Sequence, residues 1–292
     1  MVDSRRLLRE AGLRPRKGLG QNFLTDPGVP PRIADAAELA PTDAVIEVGP
    51  GLGVLTLELA SRLDPATGCL VAVELDADLL PILRTRLAPY QQVRIVRGDV
   101  LALSPTELLA HCGGKSDYKV VANLPYYITS AVLRRFLSAE HPPTRLVVMV
   151  QREVAERIVA APPEMSLLAV SVQFYGTPSI VFYVPPGSFH PPPKVESAVV
   201  QIDVYPPAVR PVAVADEEHF FAVVRAGFGQ KRKQLGNTLS DGLRLPKPDA
   251  LEALARAGVE PTRRAETLTL HEWAALAAVL PPASHEKPRE DA

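Results

Sequence analysis

From residue 43 the chain alternates short apolar runs with longer stretches whose apolar positions recur at helical spacing. The pattern predicts strands at Ala44–Val48, Cys69–Leu75, Val93–Val96, Lys119–Ala122 and Leu146–Val150. Helices are predicted at Val54–Leu63, Ala77–Leu87, Pro105–His111, Ser130–Leu137 and Glu153–Val159. The strand runs are apolar at successive positions, as strands covered on both faces must be. Repeated βα alternation of this kind predicts an α/β fold, a doubly wound, Rossmann-like parallel sheet.

The pattern then changes. Ser179–Val184 and Ala198–Val204 are β-rich runs flanking a proline-rich loop, and they predict a closing pair of strands, at least one antiparallel. After Tyr205-Pro206-Pro207 the pattern is helical, with helices predicted at Glu217–Ala226, Gln234–Leu239, Ala250–Ala257 and His271–Val279. A domain boundary is expected near residue 207, dividing the chain into 1–207 and 208–292, with a short polar tail from Pro281. Prolines number 30 in 292 residues, about twice the usual ~5%. They cluster between periodic segments and so punctuate an ordered fold.

Composition narrows the function classes. A net charge of −1 gives no overall bias toward nucleic acid, so any such role needs local basic stripes. Two are present. Residues 1–20 hold six basic side chains (Arg5, Arg6, Arg9, Arg14, Arg16 and Lys17) against two acidic ones. Arg225, Lys231, Arg232 and Lys233 form the second, with no acid between them. Cys69 and Cys112 are far apart and outside any C-x-x-C pair, so neither a disulfide framework nor a zinc site is expected, and Cys69 reads as a small core residue. No metal is expected. No run approaches the ~18 apolar residues of a membrane span, and the N-terminus lacks a signal-peptide core, which together predict a cytoplasmic protein with no membrane partner.

Candidate chemistry sits at successive strand ends. Val45-Ile46-Glu47-Val48-Gly49-Pro50-Gly51-Leu52-Gly53 is a strand running into a glycine-rich turn before a helix. Its G-x-G-x-G spacing differs from the G-x-G-x-x-G of dinucleotide sites. The next strand ends in Glu74, 21 residues after Gly53, where an acid can take ribose hydroxyls, followed by Leu75. Gly98-Asp99-Val100-Leu101 follows the third strand, placing a carboxylate for an adenine amino group and apolar side chains beside the ring. At the fourth strand end stands Asn123-Leu124-Pro125-Tyr126. Two acceptors there, the Asn123 side-chain oxygen and a main-chain carbonyl beside Pro125, could hold an amino group. Pro125 stiffens the loop and Tyr126 offers a face to an unstacked base. The set points to S-adenosylmethionine as cofactor and to methylation of a nucleobase amino group.

Together with Gly20-Gln21-Asn22-Phe23-Leu24, Gln151-Arg152-Glu153, Phe189-His190-Pro191-Pro192-Pro193-Lys194-Val195 and Phe228–Asn237, these motifs resemble the small-subunit rRNA adenine N6,N6-dimethyltransferases. The likeness runs from about Lys17 to Leu280. It implies a class I S-adenosylmethionine methyltransferase domain followed by a small C-terminal helical RNA-binding domain. The implied reaction dimethylates two adjacent adenines in the 3′-terminal hairpin loop of small-subunit rRNA, within the immature small ribosomal subunit, by a monomer. By matched position, Asn22, Leu24, Gly49, Gly51, Glu74, Leu75, Asp99, Val100 and Asn123 would contact the cofactor. Asn123, Leu124, Pro125 and Tyr126 would carry the chemistry, with Phe189 stacking on the target adenine opposite Tyr126. Lys17, Lys194, Arg225, Lys231, Arg232 and Lys233 would contact RNA. One departure is visible: Pro162–Ala169 replaces a Tyr-Gly-x-Leu-Ser-like stretch that lies near the active-site entrance in the family.

Three other readings share part of this pattern. A methyltransferase of a different adenine, in large-subunit rRNA or DNA, has the same cofactor motifs. A nucleic-acid-binding factor that has lost catalysis is opposed by the intact Glu74, Asp99 and Asn123–Tyr126 set. A nicotinamide dehydrogenase has only the glycine turn in its favour.

Overall fold

The computed structural model describes residues 4–281. The N-terminal three residues and the predicted polar tail over 282–292 lie outside the described residues. The chain forms two compact units. The first comprises the residues up to Glu156 together with Tyr175–Pro206, and the second comprises Arg157–Phe174 together with the residues from Pro207.

The first unit opens with α1 (Ser4–Glu10), β1 (Phe23–Leu24) and α2 (Val29–Ala37). The βα alternation follows: β2 (Ala44–Val48), α3 (Val54–Arg62), β3 (Cys69–Glu74), α4 (Leu80–Leu87), β4 (Val93–Arg97) and α5 (Pro105–Ala110). It continues through β5 (Tyr118–Asn123), α6 (Thr129–Leu137) and β6 (Arg145–Gln151) into α7 (Arg152–Ile158). After α8 (Leu167–Gln173) come β7 (Gly176–Val184), β8 (Phe189–His190) and β9 (Ser197–Val204). Seven strands form one sheet in the order β4-β3-β2-β5-β6-β9-β7, and β1 pairs with β8 in a separate two-stranded ladder. β4 to β6 are mutually parallel, while β9 runs antiparallel to both β6 and β7, which meets the expectation of a reversed closing strand.

Every residue of β2 and β3 is buried, Glu47 and Glu74 among otherwise apolar runs. Outer strand β4 is only partly covered, and Arg94 and Arg97 take its open positions. Helix α2 was not predicted. Its Val29-Pro30-Pro31 start reads as a loop, yet proline suits a first helical turn. Val29, Ile33, Ala34 and Ala37 fall on one face and pack on the core with Val45, Leu59, Val121, Val147 and Val199. Full burial of a side chain such as Ile33 contributes about 1.5–3 kcal/mol, enough to hold a nine-residue helix that would not persist alone.

Cys69 and Cys112 are joined by a disulfide, contrary to the sequence expectation of unpaired cysteines. It links the start of β3 to the residue two beyond α5, across 43 residues of sequence. That proximity arises only once the sheet is assembled.

The second unit is helical: α9 (Glu217–Phe228), α10 (Leu235–Leu243), α11 (Lys247–Arg256) and α12 (Leu270–Val279), with α8. Its start signals are explicit. Asp216 accepts from the backbone N–H groups of Glu218 and His219, and Thr269 and Glu272 form a reciprocal capping box at α12. Trp273 is fully buried and packs on Gly227, where any side chain would collide with the indole. The boundary near 207 has a counterpart in the structure, but a second one was missed. Residues 157–174, which the sequence reading assigned to the first domain, belong to the second unit. Phe174 is fully buried there, its ring stacked on Phe220 at 5.0 Å, and the Met165 N–H donates to the Glu266 carbonyl at 3.0 Å.

Candidate active site

The strand order reverses direction between β2 and β5, since the chain leaves β2 toward β3 and β4 and returns to β5 on the opposite side. A crevice opens at such a point beyond the carboxyl ends of the strands. The turn after β2 is built for close approach. Gly49 and Gly51 have φ of +67° and +58°, and a Cβ at Gly51 would stand 3.2 Å from the Phe23 ring. Phe23 packs with Leu8, Leu52 and Leu79, so the N-terminal segment walls one side of the turn. Buried Ser4 anchors that segment by donating its Oγ–H to the Leu24 carbonyl at 2.6 Å.

The resulting cavity has a volume of about 250 Å³. Asn22, Leu24, Gly49, Gly51, Glu74, Leu75, Asp99, Val100, Asn123, Leu124, Pro125 and Tyr126 all line it, drawn from four strand ends and the N-terminal segment. Phe189 does not. Its ring is 1% exposed and belongs to the core with Leu24 and Val199, because β8 is tied to β1 through the Leu24–Phe189 pairing. Phe189 is placed here as a packing residue, apart from the cavity lining where stacking on a target base is expected.

Glu74 is nearly buried, and both its oxygens are oriented by main-chain donors. Gly51 N–H reaches one at 3.0 Å and Asp76 N–H the other at 2.8 Å. Burial raises its pKa despite these donors. Behind it Asp76 accepts from Arg16 at 2.6 Å and from Gln21 at 2.7 Å, tying the N-terminal segment to the end of β3. Asp99 is exposed at the cavity and accepts from the Leu101 N–H at 2.9 Å, while Val100 is buried beneath.

At the far end Asn123 closes β5. Its Nδ2 donates to the Asn22 carbonyl at 3.3 Å, which leaves the side-chain oxygen as acceptor. Of the two carbonyls beside Pro125, that of Pro125 accepts from the Ile128 N–H at 3.1 Å, so the Leu124 carbonyl is the better placed second acceptor. The Tyr126 hydroxyl is tethered to Ser197 Oγ at 2.6 Å, fixing the plane of a half-buried ring.

Glu47, which the sequence places at the head of the glycine-turn motif without a site role, also lines the cavity. Its side chain is 1% exposed and its Oε2 has no partner among the described residues. Loss of solvation pushes its pKa up to about 8, helped by the neighbouring Glu74 charge and opposed in part by the Thr56 hydroxyl. An acid inside an otherwise apolar strand was the available signal. Two buried carboxyls, a turn whose Gly49 and Gly51 lack Cβ atoms, and paired acceptors at Asn123 fit a cationic nucleoside such as S-adenosylmethionine. Glu74 and Asp99 would hold its nucleoside, and Gly49 and Gly51 would let the main chain approach.

This topology and these strand-end residues define a class I S-adenosylmethionine-dependent methyltransferase. The chain belongs to the ribosomal RNA adenine dimethylase family, whose model matches residues 12–280, and is an rRNA adenine dimethyltransferase. It is 50% identical to ribosomal RNA small subunit methyltransferase A of Dehalococcoides mccartyi, over 96% of this chain and 93% of that protein. It is 44% identical to the protein of that name from Moorella thermoacetica, over 94% and 95% of the two chains. The crystal structure of the 23S rRNA methyltransferase ErmE is similar, with a TM-score of 0.68 and 28% identity, covering 89% of this chain and 99% of that one. A dimethyladenosine transferase from Plasmodium falciparum shares the fold, with a TM-score of 0.72 and 23% identity over 87% and 95% of the chains. No described helix is long and apolar enough to cross a membrane.

Proposed function

We propose that the chain transfers methyl groups from S-adenosylmethionine to N6 of two adjacent adenines in the 3′-terminal hairpin loop of small-subunit rRNA. It would act as a monomer on the immature small subunit, in the cytoplasm, as a step of ribosome biogenesis. The observation that carries this reading is the convergence of Glu74, Asp99 and Asn123–Tyr126 on one cavity. The names of relatives at 44–50% identity support a small-subunit target, against a 23S rRNA enzyme at 28%.

An adenine amino nitrogen is a weak nucleophile because its lone pair is delocalised into the ring. The Asn123 side-chain oxygen and the Leu124 carbonyl would each accept one N–H, drawing that lone pair out of conjugation and aiming it. Tyr126, its ring plane fixed by Ser197, would stack on the base once it leaves its helix. S-adenosylmethionine supplies the electrophilic methyl, carried on a cationic sulfur. The quaternised nitrogen is acidic and sheds its proton to water, so no residue here has to be a strong base. The protein's contribution is alignment and placed acceptors.

The decisive experiment incubates the protein with labelled S-adenosylmethionine and undermethylated small subunits, then maps the modified base. Label on two adjacent adenines near the 3′ end is the expected result. Small subunits left unlabelled, or labelled at other positions, would overturn the assignment.

RNA contact would fall to exposed cations: Lys17 and Lys194 in the first unit, and Arg225, Lys231, Arg232 and Lys233 in the second. Lys231, Arg232 and Lys233 stand in the turn before α10 and make no ion pair among the described residues. Contacts of this type give affinity and salt dependence without base choice. Neutralising all three is expected to weaken RNA binding roughly tenfold or more near 0.1 M salt and to flatten its salt dependence by about two units of log–log slope. Cofactor affinity stays unchanged. Titrations at several salt concentrations check this, and binding that keeps its affinity and salt slope would remove the patch from the interface.

A further inference from the structure

Tyr127 stands beside the catalytic loop in a conformation unlike that of Tyr126. Residues Tyr126–Ile128 form a single 3-10 turn after Pro125. The turn directs Tyr126 inward to Ser197 and leaves Tyr127 60% exposed at the cavity that it helps to line. A large apolar ring exposed at a cavity mouth forfeits burial that a polar residue would not need.

The ring is nonetheless seated. Its Cδ1 lies 3.3 Å from where a Cβ on Gly20 would stand, and the Pro125 ring borders the same point at 3.6 Å. Gly20, at φ +62°, therefore does two jobs: it takes a left-handed turn and it leaves room for the tyrosine ring against its main chain. A ring backed by main chain and open to solvent is a platform for another planar group. Leu75, the other exposed apolar residue of the cavity, lies beyond Glu74 at the nucleoside end, away from the Asn123–Tyr126 loop in sequence and element.

Resting on the function proposed above, we infer that Tyr127 stacks on the nucleobase adjacent to the adenine held at Asn123–Tyr126, keeping the neighbouring acceptor at the mouth between successive methylations. Tyr127 is on this reading a substrate-positioning residue that sets how evenly two adjacent adenines are modified.

The test compares Tyr127→Ala, Tyr127→Phe and Tyr127→Trp on undermethylated small subunits, with cofactor affinity measured separately. Methyl groups at each adenine are counted by mass spectrometry of the excised fragment. For Tyr127→Ala the expected result is an S-adenosylmethionine Kd within about twofold of the parent and an RNA KM raised about tenfold, the loss of one base–aromatic stack. Methylation of the two adenines should become uneven. Phenylalanine and tryptophan should restore both readouts, since each keeps a ring face. A Tyr127→Ala variant with parental KM and parental methyl distribution overturns the inference. So does one whose principal defect is cofactor binding, which would make Tyr127 part of the cofactor wall. If the parent protein itself leaves both adenines unmodified, the functional reading fails instead, and the two failures are distinct.

Discussion

Asn123→Ala is expected to lower methyl transfer by about 10²–10³-fold while the S-adenosylmethionine Kd rises no more than a few-fold. The asymmetry follows from position. Asn123 is the last residue of β5 and its side-chain nitrogen is committed to the Asn22 carbonyl, so the oxygen is the group offered to an incoming amino group. On the proposed function, cofactor binding would be spread over Glu74, Asp99 and the glycine turn, all of which line the cavity, so deletion of one amide at the far end would remove little of it. The acceptor contact, in contrast, strengthens as the nitrogen becomes tetrahedral, and an interaction of that kind is lost from kcat. Asn123→Asp sharpens the test. It keeps an acceptor oxygen but exchanges the donor facing the Asn22 carbonyl for a charged oxygen, so it should restore at most a fraction of turnover. Single-turnover transfer with saturating cofactor, beside a direct binding isotherm, separates the two effects. An Asn123→Ala enzyme with near-normal turnover would remove this residue from the mechanism.

The parts of this site that could be read in the sequence share a cause. Gly49, Gly51, Glu74, Asp99 and Asn123 are each fixed to a strand end, and strand ends follow from local apolar runs. Once the sheet is parallel, its carboxyl edge collects them without further information. What escaped depends on distant segments. Phe189 sits in a proline-rich stretch with no periodicity, and its burial comes from the β1–β8 ladder, a pairing of two-residue strands more than 160 residues apart. The Cys69–Cys112 bond likewise needs the assembled β3 and α5. Helix α8 and the transfer of residues 157–174 to the second unit depend on Phe174 finding Phe220. Glu47 is the instructive case. Its neighbours Ile46 and Val48 mark a buried strand, so its charge was a local conflict visible from the start. Conflicts of that kind concentrate at functional sites.

That conflict has a measurable consequence, since Glu47→Gln should produce a protein that is more stable and binds its cofactor less well. In the unfolded chain Glu47 ionises near its ordinary value of 4.5, whereas the folded, cofactor-free protein keeps it protonated up to about 8. A raised folded pKa means that the folded state holds the proton more tightly. The stability it contributes is complete below about pH 4.5 and is lost as the pH climbs to about 8. The groups facing this carboxyl are Glu74, whose charge opposes ionisation further, and the Thr56 hydroxyl. Glutamine has the same shape and no charge, so it escapes this loss, although its amide also lacks a full set of partners and returns about 1–3 kcal/mol of the gain. The net expectation is a stabilisation of about 2 kcal/mol at pH 8, on the order of 5 °C in Tm, shrinking toward zero or below near pH 4.5. Binding of a cationic ligand reverses the preference, because a nearby positive charge favours the carboxylate. Parent protein at pH 7 should therefore release a proton when S-adenosylmethionine binds, and its affinity should rise with pH toward 8. Glu47→Gln should bind about tenfold more weakly at pH 8 and show neither effect. Calorimetry in buffers of different ionisation enthalpy reads the proton directly. Equal melting temperatures for the two proteins at pH 8, or the same proton release from both, would show that Glu47 is charged and satisfied in the free enzyme by some other means.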